Sequence, residues 1–343
     1  MTSRLVRVLH GEILTPPPIW LMRQAGRYLP EYRATRARFP DFLSLVYDPE
    51  QAARVTLQPV ARFDLDAAIL FSDILVVVDA LGWDLRFVEG DGPILAPVRA
   101  QSDLAGLKSR EDALAALGSI VETVRLLRAE LDADKALIGF AGGPWTVATY
   151  MLGGGGGDAR REQAYRRALA DPDLVDHVLR LLTPLTADFL IAQAEAGADV
   201  LQIFESWAGE LPEPFFRRWV SAPTVEIVTR IKRRFPDLPI IGFARGAGLA
   251  LLPYHADSGV DAVSLEQNVP IALARRLLGR DVPLQGNLDP RILLAGGALM
   301  ADEVRRILEE AAHGPHVFNL GHGIVKETPP DHVAALVSLV RGA

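Results

Sequence analysis

Short apolar runs alternate with longer amphipathic segments along most of the chain. Each run has the length of a β-strand, is too short for a helix, and is bounded by Gly, Pro or Asp. The runs are Asp66–Phe71, Ala136–Phe140, Asp199–Phe204, Pro239–Phe243, Asp261–Leu265, Val282–Gln285 and Val317–Leu320. The intervening spacing predicts helices over Asp112–Leu131, Asp173–Ala196, Pro223–Arg234, Ile271–Leu278 and Ala301–Ala312. Strands that alternate with helices favour a parallel sheet with helices packed outside it.

The number of runs predicts the fold class. Seven runs, with Pro18–Met22 as a candidate eighth, favour an α/β fold built as a single (β/α)8 barrel of the TIM type over an open sheet. No charge run or long linker divides the chain, so we expect one domain over residues 1–343. Within it, residues 1–60 are expected to form an N-terminal extension that contributes to the active-site cleft. The segment Trp83–Pro97 is interpreted as a hairpin insertion.

Composition narrows the classes of function. The 343 residues include 36 Lys+Arg and 43 Asp+Glu, a formal net charge of −7, and no Cys. The mild acidity argues against a nucleic-acid-binding protein, which usually carries an excess of basic residues. The absence of Cys excludes disulfides, iron–sulfur clusters, thiolate zinc sites and a cysteine nucleophile.

No segment has the pattern of a membrane span or a targeting signal. The most apolar stretch, Leu65–Trp83, carries Asp66, Asp73 and Asp79, whereas a span needs about 20 predominantly apolar residues. The first residues lack the continuous apolar region of a secretion signal. We therefore expect a cytoplasmic protein that has no membrane partner.

Polar residues that follow the apolar runs are the candidates for chemistry, because a barrel of this type carries its active site at the carboxyl ends of the strands. They are mostly hydrogen-bond donors and cations, with few carboxylates. This balance favours a small polyanionic substrate. The candidates are Arg23, Gln24, Arg27, Ser72, Asp73, Thr146, Tyr150, Glu205, Ser206, Trp207, Arg245, Asn287, Asp289 and His322.

A structural role is the alternative for several candidates. Asp73 is placed to cap a helix over residues 74–81, Tyr150 to pack on the barrel, and Ser206 to cap the helix that follows it. His322 lies between two glycines, where packing of a bulky side chain is less natural. The run Gly153–Gly157 lacks the Lys-Ser/Thr of a phosphate loop and predicts a flexible lid or turn.

Metal-binding and hydrolase motifs are absent from the sequence. His313 and His316 are spaced three apart in a turn, with no second cluster to complete a site. Neither His-Glu-x-x-His nor Gly-x-Ser-x-Gly occurs. We expect no metal.

One run of residues carries a specific resemblance. The segment from Pro18 to Arg33 resembles the N-terminal signature of the uroporphyrinogen decarboxylase family, and Ile138–Met151 resembles its second signature. Further family blocks stand at Phe71–Leu75, Phe204–Gly209, Gly286–Pro290, Asn319–Ile324 and Thr328–Pro330, so the match covers nearly the whole chain. The clearest differences are the run of five glycines, Trp207, and Ser264-Leu265-Glu266, where the family pattern is closer to Gly-Leu-Asp.

The resemblance implies a reaction. Members of this family are cofactor-free decarboxylases of tetrapyrrole (heme) biosynthesis, in which a dimeric (β/α)8 barrel converts the four acetate side chains of uroporphyrinogen III to methyls and yields coproporphyrinogen III. The implied partners are this small molecule and a second copy of the chain. Arginine suits an octacarboxylate, because its planar guanidinium binds a carboxylate through two hydrogen bonds.

The resemblance also implies roles for individual residues. Asp73 would accept hydrogen bonds from the inward-pointing pyrrole N–H groups and face the positive charge that develops on the ring. Arg23, also a candidate proton donor, would bind a substrate carboxylate. Tyr150 is implied as the third catalytic residue beside Asp73 and Arg23, and it would also hydrogen-bond acetate or propionate oxygens. The remaining residues would bind acetate or propionate groups through side chain or backbone: Gln24, Ala25, Gly26, Arg27, Arg36, Ser206 and His322.

Two other functions stay open at this stage. One is a corrinoid-dependent or cobalamin-independent methyltransferase of the same superfamily. Such an enzyme would hold zinc with His and Cys, so the absence of Cys from this chain argues against it. A non-catalytic tetrapyrrole carrier would gain nothing from the negative charge of Asp73 near a polyanion.

Overall fold

A curled parallel sheet forms the centre of the protein. The computed structural model describes residues 2–88, 90–209 and 211–342. Within these ranges the sheet has seven strands in the order β1 (Ala67–Ile69), β4 (Ala136–Gly142), β5 (Val200–Glu205), β6 (Ile240–Ala244), β7 (Ala262–Ser264), β8 (Leu284–Leu288) and β9 (His316–Leu320). Each lies within or overlaps one of the seven apolar runs, so these predictions are confirmed. Nearly every strand residue is buried, as expected for a parallel sheet covered by helices.

The segment around Ile19 lies between the two ends of the sheet. Ile19 forms a parallel bridge with Phe318 of β9, and the Phe318 amide donates to the Pro18 carbonyl at 2.8 Å. The Asp66 amide, directly before β1, donates to the Ile19 carbonyl at 3.0 Å. The sequence predicts residues 18–22 as a candidate eighth strand. In the described residues this region forms an isolated bridge instead of a full strand.

A two-stranded hairpin is inserted after β1. Strands β2 (Leu85–Val88) and β3 (Gly92–Leu95) pair antiparallel, with Leu85 opposite Leu95. This confirms the hairpin predicted between Trp83 and Pro97. Glu89, which the sequence places between the two strands, lies outside the described residues.

Helices cover the outside of the sheet and precede it in the chain. They are α1 (Arg4–Leu9), α2 (Pro30–Arg36), α3 (Phe42–Val46), α4 (Pro49–Phe63), α5 (Val76–Ala80), α6 (Arg110–Ala116), α7 (Gly118–Glu130), α8 (Pro144–Gly153), α9 (Asp158–Ala170), α10 (Pro172–Glu195), α11 (Glu213–Phe216), α12 (Ala222–Arg234), α13 (Leu251–Ser258), α14 (Ile271–Leu278), α15 (Pro290–Ala295), α16 (Gly297–Ala311) and α17 (Pro330–Arg341). No helix in the described ranges is long and apolar enough to cross a membrane.

Four of the five predicted helices are confirmed as single elements, and one is wrong in its continuity. The predicted helix over Asp112–Leu131 is divided into α6 and α7 by a turn at Leu117 (φ −80°, ψ −1°). Gly118 follows, and glycine weakens a helix interior by about 1 kcal/mol relative to alanine. The periodicity of apolar residues continues across this break, which explains why the pattern did not reveal it.

Candidate active site

A cavity of about 790 Å³ opens at the carboxyl ends of the strands, a volume typical of small-molecule sites. Of the ten residues to which the family resemblance assigns a role, nine are among those that line it. They are Arg23, Gln24, Ala25, Gly26, Arg27, Asp73, Tyr150, Ser206 and His322.

Arg36 is the tenth of these residues, and in the part of the chain that the structure describes it is not among those that line the cavity. Its guanidinium donates to the Phe39 carbonyl at 2.8 Å, at the end of α2. Its role as a carboxylate-binding residue stays a prediction.

Asp73 follows β1 and is half-buried in the cavity wall. Its Oδ1 accepts a hydrogen bond from the Leu75 amide at 2.9 Å. Helix α5 begins at Val76 with Leu75 as its N-cap and without a side-chain cap, so Asp73 is not the cap of this helix. Burial raises the pKa of Asp73 to about 6, against the lowering effects of the Leu75 amide and the Arg23 charge.

The raised pKa of Asp73 predicts a pH-dependent gain of stability on replacement by Asn. Burial disfavours the charged carboxylate of Asp73 in the folded state. The protonated side chain costs the folded state nothing below pH ~4, and the carboxylate destabilises it increasingly as pH rises through about 6. Asp73→Asn is therefore expected to unfold with a free energy higher by up to about 3 kcal/mol at pH 8 and nearly equal at pH 4. Urea titrations at both pH values measure this. A difference that does not change with pH would contradict the assignment.

The Arg23–Arg27 segment is held by its neighbours in the fold. The Gln24 side chain donates to the Ala67 carbonyl at 3.0 Å and accepts from the Leu21 amide at 3.1 Å. Because both ends of this amide are engaged, Gln24 anchors the loop to β1. Arg23 has a left-handed backbone (φ 60°), and a Cβ at Gly323 would clash with its side chain. A glycine at 323 thus leaves room for the Arg23 side chain.

Arg23 and Arg27 are exposed, and both line the cavity. Among the described residues, no carboxylate forms an ion pair with either guanidinium at 4.0 Å or less. Two unpaired cations at the mouth of a cavity raise the local concentration of anions and can bind carboxylates directly.

Tyr150 and Ser206 line the same cavity from α8 and from the end of β5. The Tyr150 ring stacks on Trp207 with 4.1 Å between ring centroids and 19° between planes. Burial, with a smaller contribution from the Asp73 charge, raises the pKa of Tyr150 well above its ordinary value. Tyr150 therefore keeps its proton and presents a hydrogen-bond donor.

His322 lies in the cavity lining after β9. Burial lowers its pKa to about 3, and the charges of Arg23 and Arg245 lower it further. The imidazole is therefore neutral near pH 7, and it acts on a ligand through hydrogen bonds rather than as a cation.

The run Gly153–Gly157 connects α8 to α9 and docks the hairpin. The Leu95 amide donates to the Gly154 carbonyl, and the Gly156 amide donates to the Pro93 carbonyl, each at 3.2 Å. The segment predicted as a flexible lid or turn is thus a turn paired with β3, whose Pro93 lines the cavity.

Sequence reasoning gave no role to Glu205, Lys326 and Glu327. Glu205 is fully buried at the end of β5, and burial raises its pKa to about 7 while donors from Thr146 and Trp145 lower it. Lys326 and Glu327 line the cavity at its exposed rim and pair with each other at 3.5 Å. Glu205 follows an apolar run and was therefore visible as a candidate, but its partners lie about 60 residues earlier in the chain.

Glu266 and His316 each form a hydrogen-bonding contact with a backbone group. Glu266, at the position that departs from the family pattern, accepts the Gly246 amide at 2.9 Å. His316 contacts the Gly286 carbonyl at 2.8 Å. In the described ranges, no group of three or more His, Asp or Glu side chains is arranged to hold a metal ion.

Comparison with known proteins identifies the family. A family model described as "Uroporphyrinogen decarboxylase (URO-D)" matches residues 1–343. Curated relatives named uroporphyrinogen decarboxylase include those of Rhodospirillum rubrum (48% identity; 98% of this chain and 96% of the relative), Sinorhizobium fredii (50%; 99% and 97%) and Acidiphilium cryptum (52%; 98% and 93%).

Similarity to a solved structure supports the fold of this chain and carries no information about its activity. A methyltransferase from Methanosarcina mazei superposes with a TM-score of 0.81 at 21% identity, covering 100% of this chain and 99% of that one. The family follows from two findings: the match to the family model, and a sequence identity of 48–52% to these curated relatives over nearly the full length of both chains. The chain belongs to the uroporphyrinogen decarboxylase family.

Proposed function

We propose that this protein is a carboxy-lyase that converts the four acetate side chains of uroporphyrinogen III to methyls without a cofactor, giving coproporphyrinogen III. The observation that carries the proposal is the half-buried carboxylate of Asp73 in a cavity lined by Arg23 and Arg27. The second carboxylate among the lining residues, that of Glu327, is exposed and lies beside Lys326. This difference between the two carboxylates supports Asp73 as the anion that faces the bound ring.

The cationic and hydrogen-bonding groups bind the substrate's carboxylates in this proposal. Arg23, Arg27 and the backbone of residues 24–26 hold one side of the ring, and Arg36 binds a further carboxylate. Tyr150 and Ser206 donate to acetate or propionate oxygens. Neutral His322 binds a propionate. Each charge-assisted hydrogen bond contributes about 1.5–3 kcal/mol.

The reaction needs a place for the electrons of the breaking bond. Protonation of a pyrrole carbon produces an azafulvenium-like cation, and the C–C bonding pair of the acetate flows into it as CO₂ leaves. The exocyclic carbon then takes up a proton to become the methyl, and the ring carbon loses the proton that it gained. One proton is consumed for each acetate carboxylate released. Arg23 is the candidate proton donor for this step.

Asp73 stabilises the cation in this scheme. An opposite charge about 4 Å away contributes roughly 4 kcal/mol at an effective dielectric constant near 20. If this interaction is made in the transition state and not in the ground state, it accelerates the step about a thousandfold. Asp73 also accepts hydrogen bonds from the pyrrole N–H groups, which favours the ionised carboxylate once the ring is bound.

The proposal extends to architecture and assembly. The hydrogen bonds of residues 18–20 to β9 and to the start of β1 support a closed (β/α)8 barrel formed by one domain over residues 1–343. The rings of Tyr32 and Phe42 each contact Phe71 edge-on at 5.7 Å, which supports a role for residues 1–60 as an extension that contributes to the cleft. Membership of the family supports a cytoplasmic homodimer.

Anaerobic incubation with uroporphyrinogen III tests the proposed function. The purified protein, treated exhaustively with a chelator and given no cofactor, is expected to yield products with seven, six, five and four carboxyl groups on chromatography. Unchanged substrate under these conditions, or activity that requires an added metal or cofactor, would contradict the proposal.

A further inference from the structure

Six hydrogen bonds join the start of α8 to the end of β5. The Glu205 carboxylate accepts from the Trp145 amide at 3.1 Å, from the Thr146 amide at 2.9 Å and from the Thr146 hydroxyl at 2.7 Å. In the opposite direction, the Trp207 amide donates to the Thr146 hydroxyl at 3.2 Å. The Trp145 indole donates to the Trp207 carbonyl at 2.9 Å, and the Gly143 amide donates to the Phe204 carbonyl at 2.9 Å. We call the Glu205–Thr146 contact, with these flanking bonds, the β5–α8 clamp.

The local sequence of α8 requires an acceptor from outside the helix. Gly143 is the N-cap and has no side chain to accept a hydrogen bond, and Pro144 has no amide hydrogen to donate. The amides of Trp145 and Thr146 are therefore the free donors of the first turn, and Glu205 accepts both. A Cβ at Gly143 would clash with the Glu205 carboxylate, so the glycine makes this approach possible.

Burial makes the clamp more than a helix cap. Thr146 and Glu205 are both fully buried, and a carboxylate in such a place needs several donors to offset the loss of water. The Thr146 hydroxyl accepts from Trp207 and donates its hydrogen to Glu205. Removal of this hydroxyl leaves both the carboxylate and the Trp207 amide with one partner fewer.

Each of the two clamped elements is followed or continued by a hydroxyl-bearing residue that lines the cavity. Tyr150 lies one helical turn after Thr146 on α8, and Ser206 directly follows Glu205. Trp207, whose amide and carbonyl are both held by the clamp, forms the stacking surface for the Tyr150 ring. The position of the Tyr150 hydroxyl relative to Ser206 therefore depends on the contact between Glu205 and Thr146.

We propose that Glu205 and Thr146 are positioning residues, which set the Tyr150 hydroxyl against the reacting carboxylate by fixing α8 to the end of β5. This inference rests on the proposed function, because it assumes that Tyr150 contacts the substrate. A displacement of about 1 Å at a catalytic group can cost on the order of a hundredfold in rate. The clamp accordingly affects turnover more than binding, since most of the substrate's carboxylates are held elsewhere.

Isosteric substitution of Thr146 provides the test. Thr146→Val removes the hydroxyl and keeps the volume, and is expected to lower kcat about ten- to hundredfold while the Kd of coproporphyrinogen changes less than about threefold. Thr146→Ser keeps the hydroxyl and is expected to retain kcat within about twofold. In a Tyr150→Phe background, Thr146→Val is expected to have little further effect, because residues that act through one group are not additive.

Three outcomes would overturn the inference: wild-type kcat in Thr146→Val, equal losses in the Val and Ser variants, or independent, multiplicative losses with Tyr150→Phe. If Thr146→Val does not fold, Glu205→Asp takes its place, since it retains the charge and withdraws it from α8 by about one methylene. Exchange of the Trp145, Thr146 and Trp207 amides with deuterium needs no turnover and is expected to accelerate at least tenfold in either variant; unchanged exchange also overturns the clamp. Failure of the proposed function is recognised separately, because the wild-type protein then leaves uroporphyrinogen unchanged.

Discussion

Replacing Asp73 with Asn is expected to lower kcat for uroporphyrinogen about a thousandfold. The substitution keeps the size of the side chain and the acceptor for the Leu75 amide, so the local backbone has no reason to move. It removes the negative charge that the proposed azafulvenium-like cation requires. Steady-state assays under anaerobic conditions measure the effect.

Asp79→Asn is the matched control for this change. Asp79 lies six residues further along the same segment, accepts a hydrogen bond from the Tyr47 hydroxyl at 2.7 Å, and is not among the described lining residues. Its amide variant can still accept that bond and is expected to keep wild-type kcat. Equal losses in the two variants would show that the effect is not specific to the cavity charge.

Replacing Arg27 with Ala is expected to weaken the binding of both coproporphyrinogen and uroporphyrinogen about ten- to hundredfold. The exposed guanidinium at the cavity mouth has no competing carboxylate within ion-pair distance in the described residues, so its hydrogen bonds are available to the ligand. The loss should appear in Kd and KM, because the contact is made in the ground state as well as in the transition state. Fluorescence or calorimetric titration with each ligand gives the two constants.

Arg38→Ala supplies the control for Arg27. Arg38 is exposed at the end of α2, where it donates to the Gln51 side chain, and it is not a described lining residue. Its removal subtracts the same net charge and should leave both affinities unchanged. An Arg27→Ala protein with wild-type affinity for coproporphyrinogen would contradict carboxylate capture by this residue.

The strands could be predicted from sequence for a simple physical reason. A parallel strand covered on both faces is a continuous apolar run, and Gly, Pro or Asp marks a boundary of several such runs in this chain, as Asp66–Phe71 and Pro239–Phe243 begin with Asp and Pro. The break at Leu117 could not be predicted this way, because the apolar face continues from α6 into α7. The apolar run Pro18–Met22 suggested a strand, but the pairing partners of Ile19 lie far along the chain, in β9 and directly before β1, and a local pattern does not identify them.

The candidate site was predicted to the extent that it follows strand ends. Position after an apolar run brought Asp73, Ser206 and His322 to attention, and the structure places all three at one cavity. The function of Glu205 could not be predicted, because a buried carboxylate is explained only by donors that another segment supplies. The same applies to Gly323, whose small size matters only beside Arg23.

The central claim is that the Asp73 charge acts on the chemical step, and single-turnover decarboxylation by Asp73→Asn tests it most directly. With enzyme in large excess over uroporphyrinogen under anaerobic conditions, neither binding nor product release limits the loss of the first CO₂. We expect this rate constant to be about a thousandfold below that of the wild type, while coproporphyrinogen binds with a Kd within a few-fold. A rate constant within tenfold of the wild-type value, or a fall in affinity that accounts for the whole loss, would contradict the account.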